Sequence, residues 1–242
     1  MIQRKRRKSK FWNHYHRTVD LSRDGNEELF GRLNDLDINL KTERFYVLAN
    51  IPQKYFSFEM KDIEAYIKKN QENEKITFPK VEKYIKNIDR NVIKGTGLYL
   101  HGSHGIGKTT ISVIVLKRAI ELHYRCFFWK SSEIIDFIKS SWKNENRRLF
   151  FDYIINTVDL LVIDDVARLF EEQRGEERLY IDRIFTKRDD LNLVTILTAN
   201  KTLEDSKILF GDGLFSNFKE RLIEINLLGR DYREEQAKTL EQ

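Results

Sequence analysis

A chain of 242 residues, 40% apolar with only 11 glycines and 2 prolines, suits one large domain with or without a small appendage, and excludes a collagen-like or low-complexity protein. Its formal charge of +5 is local: residues 1–10 hold six Lys or Arg and no acid, which leaves −1 on the remainder. One cysteine (Cys126) allows no internal disulfide, no apolar run reaches membrane-spanning length, and five scattered His give no zinc-ligand spacing, so a cytoplasmic protein without membrane span or zinc is expected.

The basic block Arg4-Lys5-Arg6-Arg7-Lys8 with Lys10 repels itself and lacks an apolar signal core. Phe11-Trp12-Asn13-His14-Tyr15-His16-Arg17 then interleaves rings with polar and basic groups. That mixture suits a nucleic-acid arm, a tail anchoring its aromatics on the domain, or a protein contact. Asp24-Gly25-Asn26 marks a turn, and Glu27–Leu33 reads as a short helix. Asn50 to Tyr55 is expected to be extended, because Pro52 pushes Ile51 out of the α region. Apolar residues at helical spacing predict helices over Met60–Asn70 and Lys80–Ile88, with polar 71–79 looping between them.

Gly97 to His101 reads as a buried strand, and Thr110 to His123, apolar and free of Gly and Pro, as a helix. Between them Gly102-Ser103-His104-Gly105-Ile106-Gly107-Lys108-Thr109 matches G-x-x-x-x-G-K-[S/T] at every fixed position. Strand, loop and helix are the context that a phosphate-cradling loop requires. Glycines let backbone N–H groups close on phosphates, the helix N-terminus favours their charge, and Lys108 reaches the β and γ oxygens. Thr109 is placed to ligate Mg²⁺, and Thr110 completes the stretch. The chain is read as binding a nucleoside triphosphate.

Beyond the loop, strands are predicted at Arg125–Trp129, Val158–Ile163, Leu193–Thr198 and Ile223–Leu227. Helices are predicted from Glu133 to Trp142, capped by Ser131 or Ser132, over Asn146–Asn156, and over Glu176–Leu191 with Leu179, Tyr180, Ile184 and Phe185 inward. This alternation predicts an α/β fold, a parallel five-stranded sheet flanked by helices on both faces. The most apolar strand ends in Asp164-Asp165, which delivers a carboxylate beside the phosphates. Asp164 is assigned to Mg²⁺, and Asp165 to accepting a proton from, or orienting, the attacking water. Asn200, at the tip of the next strand, would orient water or simply turn the chain.

From Ala49 to Arg233 the chain resembles the P-loop AAA+ ATPases of the helicase-loader group, DnaC and DnaI, and the related transposition helper IstB. Ala49-Asn50-Ile51-Pro52-Gln53-Lys54-Tyr55 is similar to the group's lead-in motif, Gly102–Thr109 to Walker A, Asp164-Asp165 to the end of Walker B, and Thr198-Ala199-Asn200 to sensor 1 with Asn200 as its polar residue. Lys219-Glu220-Arg221-Leu222 is similar to the segment bearing the arginine finger, and Gly229-Arg230-Asp231-Tyr232-Arg233 to the closing motif with sensor 2. The resemblance therefore implies catalytic roles for Asp165, Asn200, Arg221 and Arg233, with ATP and Mg²⁺ as cofactors. It departs at Asp165, shorter than the usual Glu, at Ala167 in place of a glycine, and in lacking an N-terminal zinc motif.

The implied organisation is a small N-terminal region over residues 1–48 and an AAA+ ATPase domain over 49–242, without a full C-terminal lid domain. The implied work is to hydrolyse ATP, form a homo-oligomer in which Arg221 completes a neighbour's site, bind single-stranded DNA and deliver a replicative helicase. Lys143, Arg147 and Arg148 would meet phosphates or stand in a solvated connection. The rivals are a transposition helper with a transposase as partner, a nucleotide-gated binding module with negligible turnover, and a small-molecule P-loop kinase. Paired acids at Asp164-Asp165, the Asn200 tip and the lack of an arginine-rich lid disfavour the kinase.

Overall fold

The structure, a computed structural model, describes residues 41–67, 73–141, 144–171 and 176–228. The basic block, the aromatic arm, the helix expected at Glu27–Leu33, Lys143 and Arg233 lie outside them.

Five apolar runs form one sheet: β1 (Gly97–His101), β2 (Cys126–Lys130), β3 (Leu160–Asp164), β4 (Val194–Ala199) and β5 (Leu222–Asn226), in the order β2-β3-β4-β1-β5. Every pairing is parallel. β1 and β4 are buried throughout, and β3 as far as Ile163. Parallel strands are covered on both faces, so their sequences run continuously apolar instead of alternating. β5 is an edge strand and buries only Ile225 fully.

Successive side chains sort to opposite faces. Leu98, Leu100, Phe128, Leu160, Val162 and Ile196 meet a core fed by α1 (Lys41–Leu48), α3 (Phe78–Lys86), α4 (Ile88–Lys94) and α5 (Lys108–Glu121), with Met60 of α2 (Met60–Ile67) at its margin. Tyr99, Phe127, Trp129, Leu161, Ile163 and Leu197 meet the other core. That core is fed by α6 (Ser131–Ser141), α7 (Glu145–Thr157), α8 (Ala167–Glu171), α9 (Glu176–Asp190), α10 (Lys207–Phe210) and α11 (Asp212–Arg221). The β2 edge is covered by the chain leaving α1: Phe128 N donates to Ala49 O at 2.8 Å, and Asn50 Nδ2 donates to Phe128 O at 3.0 Å. Such cover removes an open row of backbone groups.

Several expectations need correction. Pro52 is extended, but Asn50 stands in the left-handed region (φ 55) and a 3₁₀ turn follows over Gln53–Tyr55. The loop expected at 71–79 is in part regular, with a π-helical turn over Asn73–Thr77 leading into α3 at Phe78. Pro79 fits there because a first-turn residue needs no N–H bond. Asn87 ends that helix, and Ile88 begins α4, which had not been predicted. Leu179 is 68% exposed: the inward stripe of α9 is Ile181, Ile184, Phe185 and Arg188. Leu179 lies two residues from Ile181, about 200° around the helix, and so faces away.

Arg188 completes that stripe at 1% exposure. Its guanidinium donates to Thr195 Oγ1 (3.0 Å), Ile154 O (3.2 Å), Val158 O (3.0 Å) and Val194 O (2.5 Å), joining α7, the entry to β3, and β4. Burial pushes its pKa down to about 9, against the opposing pull of Asp159. The Arg188→Met variant keeps an apolar stem and removes all four bonds. It is expected to lower unfolding free energy by about 3 kcal/mol, read from urea unfolding.

Candidate nucleoside triphosphate site

The strand order decides the site. β4 lies between β1 and β3, so the carboxyl tips of three neighbouring strands deliver Gly102–Thr109, Thr198–Asn200 and Asp164–Asp165 to one place. Ligands of open parallel sheets bind outside such tips.

Gly102 has φ 139, and a Cβ there would lie 2.2 Å from Leu227 O and 2.4 Å from Ile106 Cδ1, so a side chain is excluded. Leu227 N donates to His101 O at 2.8 Å, tying the loop's base to the exit of β5. Ile106 is buried in the core and anchors the loop from below. Gly107 (φ 87) is the N-cap of α5, with no side-chain cap. N–H groups of an uncapped first turn are suited to a bound anion.

Lys108 Nζ donates to Gly102 O (2.8 Å), Ser103 O (2.6 Å) and Asn200 Oδ1 (2.9 Å). The loop lysine and the β4 tip therefore meet across 92 residues. Thr109 Oγ1 donates to Asp164 Oδ1 at 2.8 Å, and Thr198 Oγ1 donates to the same oxygen at 2.7 Å. Thr198 Oγ1 also accepts from Asp165 N at 2.8 Å, and Val166 N donates to Thr198 O at 2.9 Å. Asp165 stands in the left-handed region (φ 61), which Asp tolerates better than most residues and which costs backbone strain. Ser131 Oγ lies 2.9 Å from Asp164 O and 2.7 Å from Asp165 O, sharing its proton between them. Ser131, expected as a cap, is instead the first residue of α6 and holds the acidic turn.

Thr198 and Ser131 hold the acidic turn, a role that sequence reading missed. The only cue was that each hydroxyl lies at a strand–turn junction. A brace behind the β4 tip was also missed. Tyr99 Oη donates to Lys201 O and shares a bond with Ser206 Oγ, each at 3.1 Å. Glu224 Oε1 accepts from Leu203 N (2.8 Å) and lies 3.2 Å from His101 Nε2. Burial lowers the His101 pKa, Glu224 raises it, and Lys108 lowers it further.

These groups open into a cleft of about 730 Å³, lined by His104–Ile111, Asp164, Asp165, Thr198 and Asn200, and on another side by Lys54, Tyr55, Phe58 and Asp62. Among the described residues no cluster of three His, Cys, Asp or Glu could hold a metal. One hydroxyl and one carboxylate in contact, Thr109 and Asp164, instead fit Mg²⁺, which takes few protein oxygens and leaves the rest to phosphates and water.

Arg221 is not brought to this cleft. Leu222, next to it, pairs with Gly97 at the start of β1, whereas the loop follows the end of β1. Arg221 Nε pairs with Asp189 Oδ1 at 3.0 Å, and Nη1 donates to Asn192 Oδ1 at 3.0 Å. Arg147 lies over the Phe137 ring at 5.5 Å, and Arg148 is exposed.

Thr198→Val keeps the shape of the side chain and removes both of its bonds at the acidic turn. Loss of a residue that orients a metal-holding carboxylate typically costs about 10–100-fold in metal affinity. Calorimetric titration is expected to show Mg²⁺-dependent enhancement of ATP binding falling by that factor, with binding in chelator unchanged.

Residues 56–229 match the family of IstB-like ATP binding proteins. No curated protein matches the sequence. Among solved structures, the chain is similar to the DnaC helicase loader at 21% identity, over 73% of this chain and 100% of that one, with a TM-score of 0.59. It is similar to DnaI at 20% identity, over 74% and 95%, with a TM-score of 0.60. It is also similar to the replication initiator DnaA bound to AMPPCP and single-stranded DNA, at 22% identity and a TM-score of 0.53. That last likeness covers 69% of this chain and spans about half, 51%, of the DnaA chain. At these identities the structures speak to the fold, a P-loop AAA+ sheet with flanking helices. The family match covers most of the chain, which belongs to the IstB-like ATP binding proteins.

Proposed function

We propose that this protein is a Mg²⁺-dependent ATPase that acts in DNA replication as a helicase loader, binding single-stranded DNA and a replicative helicase. The observation that carries the reading is the convergence of the Thr109 and Thr198 hydroxyls on one carboxylate oxygen of Asp164, beside the Lys108–Asn200 contact.

The chain's own groups divide the chemistry. The loop from Gly102 to Thr110 cradles the phosphates, and Lys108 meets their oxygens as a point charge. Thr109 and Asp164 would hold Mg²⁺, which when bound would neutralise the charge that develops on the phosphates. Asp165 accepts a proton from the attacking water or orients it, and Asn200 orients that water from the neighbouring strand tip. Arg221 is paired at the amino end of the strands, whereas its own loop lies at the carboxyl end. Its route to a triphosphate is a neighbouring subunit's cleft, so the working form is a homo-oligomer. Arg233 takes the sensor 2 role.

Delivery of a helicase and contact with single-stranded DNA are supported by the likeness to the DnaC helicase loader and to DnaA bound to single-stranded DNA. The six charges of residues 1–10, with Lys143, Arg147 and Arg148, supply phosphate contacts. The partner-binding region lies within residues 1–48, whose last stretch, α1 (Lys41–Leu48), packs through Tyr46 on the motor of residues 49–242, in the cytoplasm. The IstB-like family match favours a second reading, a transposition helper with a transposase as partner. Retention of helicase on the immobilised chain supports the first reading, and retention of transposase supports the second.

An arginine finger supplied in trans is worth about 10³–10⁵ in rate. Asp165→Asn and Arg221→Ala are each expected to bind ATP and turn it over poorly. Mixing the two pairs intact sites with intact fingers, so ATPase activity is expected to return in part. No recovery, with turnover independent of protein concentration, would remove the role of Arg221 across an interface.

A further inference from the structure

Helix α5 receives the phosphates at its N-terminus, and its body is aliphatic: Val113, Ile114, Val115, Leu116, Ala119 and Ile120 are buried. Lys117 interrupts that run at 8% exposure. A buried ammonium is costly unless its donors are met. Here Nζ donates to Phe56 O at 2.7 Å and to Phe58 O at 2.6 Å, and it lies 4.8 Å from the centre of the Tyr46 ring. Two carbonyl oxygens and one π face match the three donors of the ammonium. Burial lowers its pKa, while Glu59, Glu121 and Asp62 act to raise it.

Both carbonyls belong to the short connection between the 3₁₀ turn at Gln53–Tyr55 and α2. That connection also lines the cleft. Lys54, Tyr55, Phe58 and Asp62 face the same space as the phosphate loop and the strand tips. The phosphate groups are claimed by Lys108, Thr109 and the acidic turn. What remains of the lining is aromatic, with the Tyr55 and Phe58 rings 6.1 Å apart and polar groups at their margin. Aromatic surface with a polar rim is the chemistry that receives a purine, and with the two rings tilted 53° to each other the base would lie on one ring face and against the edge of the other.

We infer that Lys117 is a positioning residue for nucleobase recognition: from the helix that caps the phosphates, it fixes Phe56 and Phe58 so that Tyr55 and Phe58 form the wall against which the purine lies. This rests on the ATP site described above. Lys117 itself does not line the cleft; it acts through the two carbonyls it holds. One rigid helix thereby sets the spacing between the phosphate and base ends of the site.

The test separates base from phosphate. The full chain and its Lys117→Met variant are titrated calorimetrically with Mg-ATP and with inorganic tripolyphosphate. Lys117→Met is expected to weaken ATP by about tenfold, the scale of one aromatic contact, and to leave tripolyphosphate unchanged. Lys117→Arg, which still donates to both carbonyls, is expected to recover part of the ATP affinity. Phe58→Ala, with Lys117 intact, is expected to reproduce the base-selective loss and decides the matter should Lys117→Met not fold. Equal weakening of both ligands, or of neither, overturns the inference and leaves the ATP site standing. Failure of the unaltered chain to bind either ligand overturns the ATP site and the inference with it.

Discussion

One carboxylate oxygen organises the candidate site of this protein. Asp164 Oδ1 accepts from Thr109 at the start of α5 and from Thr198 at the end of β4, so the phosphate loop and two strands converge on one oxygen. That convergence depends on β4 lying between β1 and β3. With β1 and β3 as direct neighbours, the hydroxyl of Thr198 and the amide of Asn200 would lie outside the gap they now bridge. The site is therefore as much a property of strand order as of its motifs.

The two ends of the sheet use charge differently. At the carboxyl end, Lys108 and Asp164 lie partly open beside the cleft, where a charged ligand and its metal can reach them. At the amino end the charges serve cohesion. Arg125 grips Asp159 with two side-chain bonds of 2.7 and 2.9 Å, Arg188 is enclosed by carbonyls, and Arg221 pairs with Asp189. Backbone carbonyls are left without ladder partners where strands begin, and a long donor such as Arg188 satisfies several carbonyls at once. The finger role proposed for Arg221 requires it to exchange Asp189 and Asn192 for a neighbour's phosphate. Because that pair is only partly buried, the exchange costs less than breaking an enclosed one.

Nearly all of the sheet could be read from sequence, because each strand is a short apolar run bounded by turn residues and buried on both faces. The N-terminal helices were harder. α4 has seven residues and buries only Ile88 and Val92, too few for a periodic signal. The inward face of α9 was misjudged at Leu179 because an arginine, Arg188, completes the stripe where an apolar residue is usually sought. Within the site, residues with a spacing rule (Gly102, Gly107, Lys108, Thr109, Asp164) were legible. Thr198, Ser131 and Lys117 were not, since their partners lie 33 to 61 residues away and no local pattern announces them.

The sequence alone determined the phosphate loop, the acidic strand end and the α/β alternation. These follow from local rules: backbone freedom at glycine, the burial of continuous apolar runs, and charge placed beside a helix start. Strand order belongs to the tertiary structure, and with it the meeting of Lys108 with Asn200 and of Asp164 with Thr198. It also decided that Arg221 faces away from its own cleft and that Lys117 turns inward to hold the aromatic segment. The physical reason is the same in each case. A hydrogen bond depends on separation in space, and only the packing of helices on both faces of the sheet brings donors and acceptors so distant in sequence within 3 Å.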